Sequence, residues 1–521
     1  MFLFIIFVFL LNKNIFLVLK LSIKFNLEIE FLFLFSNSIF SLVVIIISIG
    51  VILYKKFYFH FIEINSFNIN LIIFIISIII LINRNNFLTL IIGWDGLGIS
   101  SFYLVSFYSN IESAISRLIT FFFNRLGDGF IVVIIAYILK YSTEYKIINL
   151  DILIFIIFIG LITKSSQLPF GVWLPIAIAA PTPISTLVHS STLVTSGILI
   201  LMKIEFLFFL WEFQILILIF GIFTFVIGGL FSLSILDLKK TVAFSTLSQL
   251  GFIIFRFRIG NLNISFLHII FHAFFKSSLF LNLGFFIFKN LSIQDSRLIN
   301  NYTLNFLSKI LFLIPCLNLI GIVFSAGFIS KDLILIFFIN ENIKIIIFFF
   351  LYIGCVITAS YSIKLIFRLF KINLLSIKVN FKINFNFYFI LIFIFSLILR
   401  FIIILLILFF INLQELFCRK FSKYLFLIIL IFSFILYKIF FIFLCLLKFS
   451  SILIILDSIN IFFKNKYLIL KNISIILILE EFIQLNFFIK MNFSLINKVK
   501  FLILFILNFF LINILIIFIL I

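Results

Sequence analysis

Three titratable side chains, His268, His272 and Lys276, recur at intervals of four in HIIFHAFFKSSLF, a spacing that lines them along one stripe of a helix. Imidazole titrates near neutral pH and passes protons in either direction, so the stripe suits proton exchange. A metal site is the rival chemistry, but neither cysteine nor carboxylate accompanies the stripe and its neighbours are phenylalanines. Lys164, in GLITKSSQLPF, ends an apolar run just before a proline; it is a lysine snorkelling at a helix end or one placed to exchange protons. His189, in APTPISTLVHSSTLVTSG, has Ser and Thr neighbours able to orient its ring. Asp95, in IIGWDGLGIS, is a carboxylate in an apolar setting and needs a partner, unless the glycines mark a short turn between helices. Arg125 and Asp128, in FFFNRLGDGF, share a helix face and can neutralise each other. Asp237, Lys239 and Lys240, in ILDLKKTVAFSTLSQLG, read locally as a solvated turn, while Lys331 and Asp332, in FSAGFISKDLILIFF, set charge beside glycine within an apolar run. A series of titratable groups separated by apolar sequence is what a proton relay requires.

The elements carrying these groups must be membrane helices. Of the 521 residues, 65% are hydrophobic and 11% charged, with mean hydropathy +1.42, which excludes an ordinary soluble domain with its roughly 25% of charged residues. At about 20 residues per crossing, the chain has room for roughly a dozen to fifteen spans. Four of the five prolines, Pro169, Pro175, Pro181 and Pro183, fall between Lys164 and His189. Such broken backbone at membrane depth is tolerated only where protein or water covers its polar groups, so an ion-conducting interior is expected here.

The net charge of +21 comes from lysines scattered near the ends of apolar runs, with no basic stripe or recognition fold. The expected partners of these lysines are membrane lipids, with no nucleic acid. Cys316, Cys355, Cys418 and Cys445 are far apart and form no CxxC; they are expected as packed thiols. No phosphate-binding glycine loop, haem attachment motif, iron–sulfur cysteine set or nucleophile elbow is present. No cofactor is therefore expected in this chain, and redox chemistry driving a pump belongs to other subunits.

Three regions differ in texture. Residues 1–84 are expected to form N-terminal transmembrane helices, and MFLFIIFVFLLNKN reads as a retained first helix. Residues 85–370 hold nearly all the glycine, proline, histidine and acidic residues, hence the chemistry. Residues 371–521 are Phe/Ile/Leu-rich, with a mixed segment at about 455–490 that suits a lateral amphipathic helix, then an apolar terminal anchor. The bias toward Phe, Ile, Leu, Asn and Lys, residues with A/T-rich codons, is that of a small organellar genome. The fold class expected is all-α: a polytopic transmembrane bundle with two broken helices, a lateral helix and a final anchor.

GWDGLGISSFYLVSFY, NRLGDGF, TKSSQLPFGVWLPIAIAAPTPISTLVHSSTLVTSGILIL, DLKKTVAFSTLSQLG, FHAFFKSSLF and GFISKDLIL occur in this order. Over residues 85–340 this resembles the antiporter-like membrane subunits of respiratory complex I, akin to bacterial Mrp antiporters. The chain-5 branch is favoured, since its sister, chain 4, has glutamate in place of Lys331 and lacks WDGLG. The resemblance implies a proton-translocating role for Asp95, Lys164, Lys239, His268, His272 and Lys331. Asp95 would pair with Lys164 in an input half-channel, Lys239 would be the central connecting lysine, and Lys331 would sit at the second broken helix. Asp128, His189, Asp237, Lys276 and Asp332 would support the polar path. It further implies the mitochondrial inner membrane as location and the other membrane-arm subunits, chain 4 above all, as partners. NADH, FMN, iron–sulfur clusters and ubiquinone would be handled elsewhere in the complex. The rivals are an Mrp-type cation/proton antiporter using the same axis and an inert scaffold with vestigial charges.

Overall fold

The computed structural model describes residues 17–23, 27–33, 35–58, 64–108, 110–144, 150–204, 211–258, 262–290, 293–297, 306–321 and 345–370, with single residues 325, 327, 331 and 433. The expected first helix at 1–14, Asp332, Cys418, Cys445, the lateral helix at 455–490 and the terminal anchor lie outside the described residues.

The protein is an all-α polytopic membrane bundle. Its long helices are α1 (Phe35–Tyr58), α2 (Ile64–Ile82), α3 (Phe87–Val105), α4 (Ile111–Glu144), α5 (Leu150–Lys164), α6 (Leu193–Lys203), α7 (Trp211–Ser234), α8 (Leu238–Arg258), α9 (Leu262–Lys289), α10 (Phe306–Ile320) and α11 (Ile345–Phe370). One element departs from the helices expected over 1–84. Strands β1 (Leu17–Ile23) and β2 (Leu27–Phe33) form an antiparallel hairpin that sets Lys20 opposite Glu30 and Ser22 opposite Glu28. Polar and apolar residues alternate through KLSI and LEIEF, a period of two that fits a strand and not a helix.

Helix is the only open structure that satisfies every backbone group without water, and the burial pattern is that of a membrane protein. On α2, Ile69, Ile72, Ile73 and Ile76 face outward, about half exposed or more, while Phe67, Leu71, Phe74 and Ile78 are buried. A helix apolar on both faces has lipid on one and protein on the other. Among the described residues, five helices are long and apolar enough to cross a membrane. The span Thr182–Lys203 is wholly buried and Ser265–Lys289 94% buried, against 39% for Phe213–Ser234. The broken segment and α9 are therefore the axis of the bundle, and α7 is on its lipid-facing side.

Close helix contact fixes this arrangement. Between α7 and α8, a Cβ on Gly221 would lie 2.6 Å from the Phe255 backbone nitrogen, and one on Gly251 would lie 2.5 Å from that of Phe225. The two helices thus pack backbone to backbone, and Phe225, Phe252 and Phe255 fill a core with Leu351, Cys355 and Val356 of α11.

The proline-rich stretch breaks as expected. After α5, Phe170–Val172 is a 3₁₀ turn, Trp173–Ala177 and Thr182–Ile184 are single helical turns, and Ser185–Thr192 is π-helical before α6 begins. Hydroxyls take up the carbonyls that the breaks release. Thr186 Oγ1 donates to Pro183 O at 2.7 Å, Thr192 Oγ1 to Leu187 O at 2.6 Å, and Ser190 donates to Thr186 O.

Candidate functional site

Consecutive residues on a helix point about 100° apart, and on α3 this separates Trp94 from Asp95. Trp94 faces inward and is buried, while the Asp95 side chain is 37% exposed. Trp94 Nε1 donates to Asp128 Oδ1 of α4 at 2.7 Å. Lys164, the last residue of α5, donates from Nζ to the Trp94 carbonyl at 2.7 Å and lies 3.7 Å from the Trp94 ring centroid. Its carboxylate partner is Asp128, at 3.9 Å. The pair expected from the sequence, Asp95 with Lys164, is replaced by a chain. Asp95 Oδ1 meets Arg125 Nη1 at 3.7 Å, and Arg125 Nη1 meets Asp128 Oδ2 at 3.4 Å. The reason is the helix register: Arg125 and Asp128 share a face of α4, so Asp128 occupies the inner place and Arg125 bridges to the outer one. Exposure of the side chains falls along the chain, from 37% and 43% at Asp95 and Arg125 to 7% and 1% at Asp128 and Lys164.

Lys164 also ends its helix. Trp173 Nε1 donates to Thr163 O at 3.0 Å, which ties the broken segment to the end of α5. His189 lies within the π-helical turn, fully buried, its ring 6.2 Å from that of Trp173 and tilted edge-on. Both its ring nitrogens lack a hydrogen-bond partner among the described residues, as do Ser166 Oγ and Gln167 Oε1 of the same break.

A second cluster surrounds the His268–His272–Lys276 stripe of α9. Ser245, Ser248 and Gln249 share one face of α8, and Thr358 and Tyr361 share one face of α11. His268 Nε2 is 3.3 Å from Gln249 Oε1, Gln249 Nε2 donates to Tyr361 Oη at 2.9 Å, and Ser248 Oγ is 3.4 Å from the same hydroxyl. Lys276 Nζ donates to Ser245 Oγ at 2.6 Å and lies 5.9 Å from the Tyr361 ring centroid. Lys331 Nζ donates to Leu319 O at 2.6 Å and to Thr358 Oγ1 at 3.0 Å, and contacts Ile320 O at 3.3 Å. It thus caps α10, where Gly321 takes φ +84° and ends the helix. Lys276 and Lys331 are near enough to repel each other. His272 lies beside Lys276 and its ring nitrogens have no partner among the described residues.

The remaining candidates do not join either network directly. Lys239 is buried near the start of α8. Asp237 pairs with exposed Lys240 at 3.0 Å and not with Lys239. The Asp237 backbone forms a bridge with Asp295, and Leu238 N donates to Gln294 O at 3.1 Å. This is the solvated-turn geometry. In that turn Arg297 donates to the Asp295 carboxylate and holds it below its usual range.

Sequence reasoning passed over Trp94, Gln249, Thr358, Tyr361 and Lys364, and left Arg125 as a local pair. Lys364 donates to the carbonyls of Ser232, Leu233 and Ile235 at 2.9, 2.6 and 2.7 Å, closing the end of α7. The signal was present as polar residues at helical spacing: Thr358, Tyr361, Lys364 and Arg368, and Ser245, Ser248 and Gln249.

Residues 84–358 match the family described as NADH:quinone oxidoreductase/Mrp antiporter, transmembrane. NADH-ubiquinone oxidoreductase chain 5 of Caenorhabditis elegans is 35% identical over 289 residues, 54% of each chain. Chain 5 of Locusta migratoria is 33% identical over 303 residues, covering 55% of this chain and 52% of its own length. For Anopheles arabiensis chain 5 the identity is 36% over 280 residues, with 52% of this chain and 73% of that one covered. The chain spans about half the length of the first two of these relatives. Two solved structures share the fold. A chain of the Mrp complex from Dietzia sp. DQ12-45-1b aligns with TM-score 0.63 and 21% identity, over 70% of this chain and 43% of that one. A chain of the membrane-bound sulfane sulfur reductase, an archaeal respiratory membrane complex, aligns with TM-score 0.65 and 18% identity, over 76% and 85%. The family match takes in Asp95, Asp128, Lys164 and the α9 stripe together, and the chain belongs to the NADH:quinone oxidoreductase/Mrp antiporter transmembrane family.

Proposed function

We propose that this chain is the chain-5 type subunit of a respiratory NADH:ubiquinone oxidoreductase of the mitochondrial inner membrane, moving protons while other subunits carry the electrons. The observation that carries the proposal is the graded chain Asp95–Arg125–Asp128–Lys164, which leads charge from a half-exposed face to a fully buried lysine at a helix break. Chain 4 and the other membrane-arm subunits are its partners in this reading, with no cofactor held in the chain.

At 3.9 Å, Asp128 attracts Lys164 by about 4 kcal/mol at an effective dielectric near 20, and desolvation of both groups offsets much of this. A proton arriving on Asp128 cancels that attraction and leaves Lys164 free to release its own proton inward. The orphaned nitrogens of His189, between the two clusters in sequence, and of His272, within the second, are places for bridging water of the kind buried polar atoms hold, which would extend the relay to His268, Gln249, Tyr361, Lys276 and Lys331. Lys331 ends the line at the end of α10, where its charge can be held or released. Conformational states that reduce quinone and states that bind protons are then linked reciprocally.

Co-purification tests the assignment: respiratory-complex subunits should travel with this chain in mild detergent, and Mrp subunits in their place would overturn it. In the assembled complex, Lys331→Ala should depress proton pumping and slow quinone reduction, with NADH oxidation by artificial acceptors nearly intact. Unchanged pumping per electron at normal complex abundance would remove Lys331 from the relay.

A further inference from the structure

Three contacts of the buried ion pair converge on one uncharged residue. The Trp94 N–H donates to Asp128 Oδ1 at 2.7 Å, the Trp94 carbonyl accepts from Lys164 Nζ at 2.7 Å, and the same ammonium lies 3.7 Å from the centroid of the Trp94 ring. Trp94 is 1% exposed, and its backbone is held in place. A Cβ on Gly93 would lie 2.8 Å from the Leu81 backbone nitrogen and one on Gly96 2.9 Å from Ser77 Cβ, so α3 lies tight against α2 just before and just after the tryptophan.

These contacts divide the carboxylate. Oδ1 receives the indole N–H and faces Lys164 at 3.9 Å, while Oδ2 lies 3.4 Å from Arg125 Nη1. An ammonium in direct contact with a carboxylate sits at about 2.7–2.9 Å. Here Lys164 is held further out, by the ring face, a preferred aromatic seat for a cation, and by the Trp94 carbonyl. When Asp128 is neutral, the ring and the carbonyl still hold the ammonium. When Asp128 is ionised, the indole N–H still holds the carboxylate. Filling the space alone would ask only for a large apolar side chain.

We propose that Trp94 is the positioning residue of the Asp128–Lys164 pair: it turns Oδ2 toward the incoming proton and seats the Lys164 ammonium on its ring, short of the carboxylate. This rests on reading the pair as part of a proton relay, and it adds a residue that neither takes up nor gives a proton. The charged groups about Trp94 are Asp128 and Arg125 of α4 and Lys164 of α5, with Asp95 next to it in α3. α2 carries none.

The test uses the assembled complex carrying Trp94→Phe, which keeps a ring and loses the N–H, or Trp94→Leu, which loses both. At normal complex abundance, pumping should fall roughly tenfold for Trp94→Phe, the factor that one charge-assisted hydrogen bond represents. For Trp94→Leu, whose ammonium has lost its seat as well, it should fall roughly 100-fold. Redox-driven infrared difference spectra supply a readout that packing would not move. The carboxyl band of Asp128, identified by its loss in Asp128→Asn, should rise in frequency in Trp94→Phe, because its C=O no longer accepts from the indole. An unshifted band, or wild-type pumping in Trp94→Phe, overturns the proposal and leaves the relay standing. Wild-type pumping in Asp128→Asn, with no such band in any spectrum, removes the relay and this inference with it. Should Trp94→Leu fail to assemble, Trp94→Phe decides alone.

Discussion

Lys164 and Lys331 are both buried lysines at helix ends, yet their surroundings differ in kind. Lys164 has a carboxylate, Asp128, at 3.9 Å, and behind it Arg125 and Asp95, so two cations and two anions balance. Lys331 has no carboxylate among the described residues; the Leu319 carbonyl and the Thr358 hydroxyl hold it, with Ile320 O beside them. Lys276 resembles Lys331, with a serine hydroxyl and a tyrosine ring as partners. A carboxylate binds an ammonium strongly and loses that hold once protonated. Dipoles bind it more weakly and also tolerate the neutral amine. In the proposed relay, the first cluster would change state when a proton arrives and the second would carry charge without a fixed counter-ion.

The largest effect should come from breaking the balanced cluster. Asp128→Ala leaves Lys164 buried with no carboxylate and Trp94 Nε1 with no acceptor, a loss of about 3–5 kcal/mol. Removing both charges in Asp128→Ala/Lys164→Met should restore much of that stability while leaving pumping absent. Lys331→Met, which keeps the length of the side chain, should cost only about 1–3 kcal/mol, since it strands carbonyls and a hydroxyl and no charge. Thermal unfolding of the three purified variants checks the order. Equal losses for Asp128→Ala and Lys331→Met would end the distinction between the clusters.

A smaller effect sharpens the second cluster. Tyr361→Phe keeps the ring near Lys276 and removes the hydroxyl that receives the Gln249 amide. One stranded buried donor costs about 1–3 kcal/mol. If His268, Gln249 and Tyr361 act as one path, pumping per electron should fall further than the stability loss accounts for, and Gln249→Leu/Tyr361→Phe should do no more harm than either single change. Additive losses would show that the two residues work separately.

The sequence revealed the broken segment between Lys164 and His189 because rarity marks it, as it marks the candidate relay residues; the second broken helix expected around Lys331 lies outside the described residues. Prolines and titratable groups are so sparse in 521 residues that each stands out against lipid-soluble neighbours. Partner choice was less legible. Asp95 and Asp128 are both carboxylates in apolar sequence, and the 100° step between Trp94 and Asp95 turns Asp95 outward and leaves Asp128 to reach Lys164. Thr358, Tyr361, Ser245 and Gln249 escaped notice because uncharged polar residues are common in this chain, although their helical spacing was readable. The hairpin at Leu17–Phe33 was missed for another reason: its alternation is short and sits in composition that elsewhere makes helix.

The smallest effect on stability should come from the residue the family resemblance placed first. Asp95→Asn removes a carboxylate that is 37% exposed and, among the described residues, pairs only with Arg125, itself 43% exposed, at 3.7 Å. Exposed pairs contribute about 0–1 kcal/mol, and Arg125 keeps Asp128 as its second partner at 3.4 Å. Melting should therefore shift far less than for Asp128→Ala, and the contacts of Lys164 with Asp128 and Trp94 should persist. Pumping is a separate question with a separate answer. If protons enter by way of Asp95, the variant should pump slowly at nearly wild-type stability, because asparagine can neither take up nor deliver a proton. If they reach Asp128 by another route, rate and stability should both stay near wild type, and the chain of charges would begin at Arg125. Measuring both quantities on one preparation separates an entry residue from a surface ion pair.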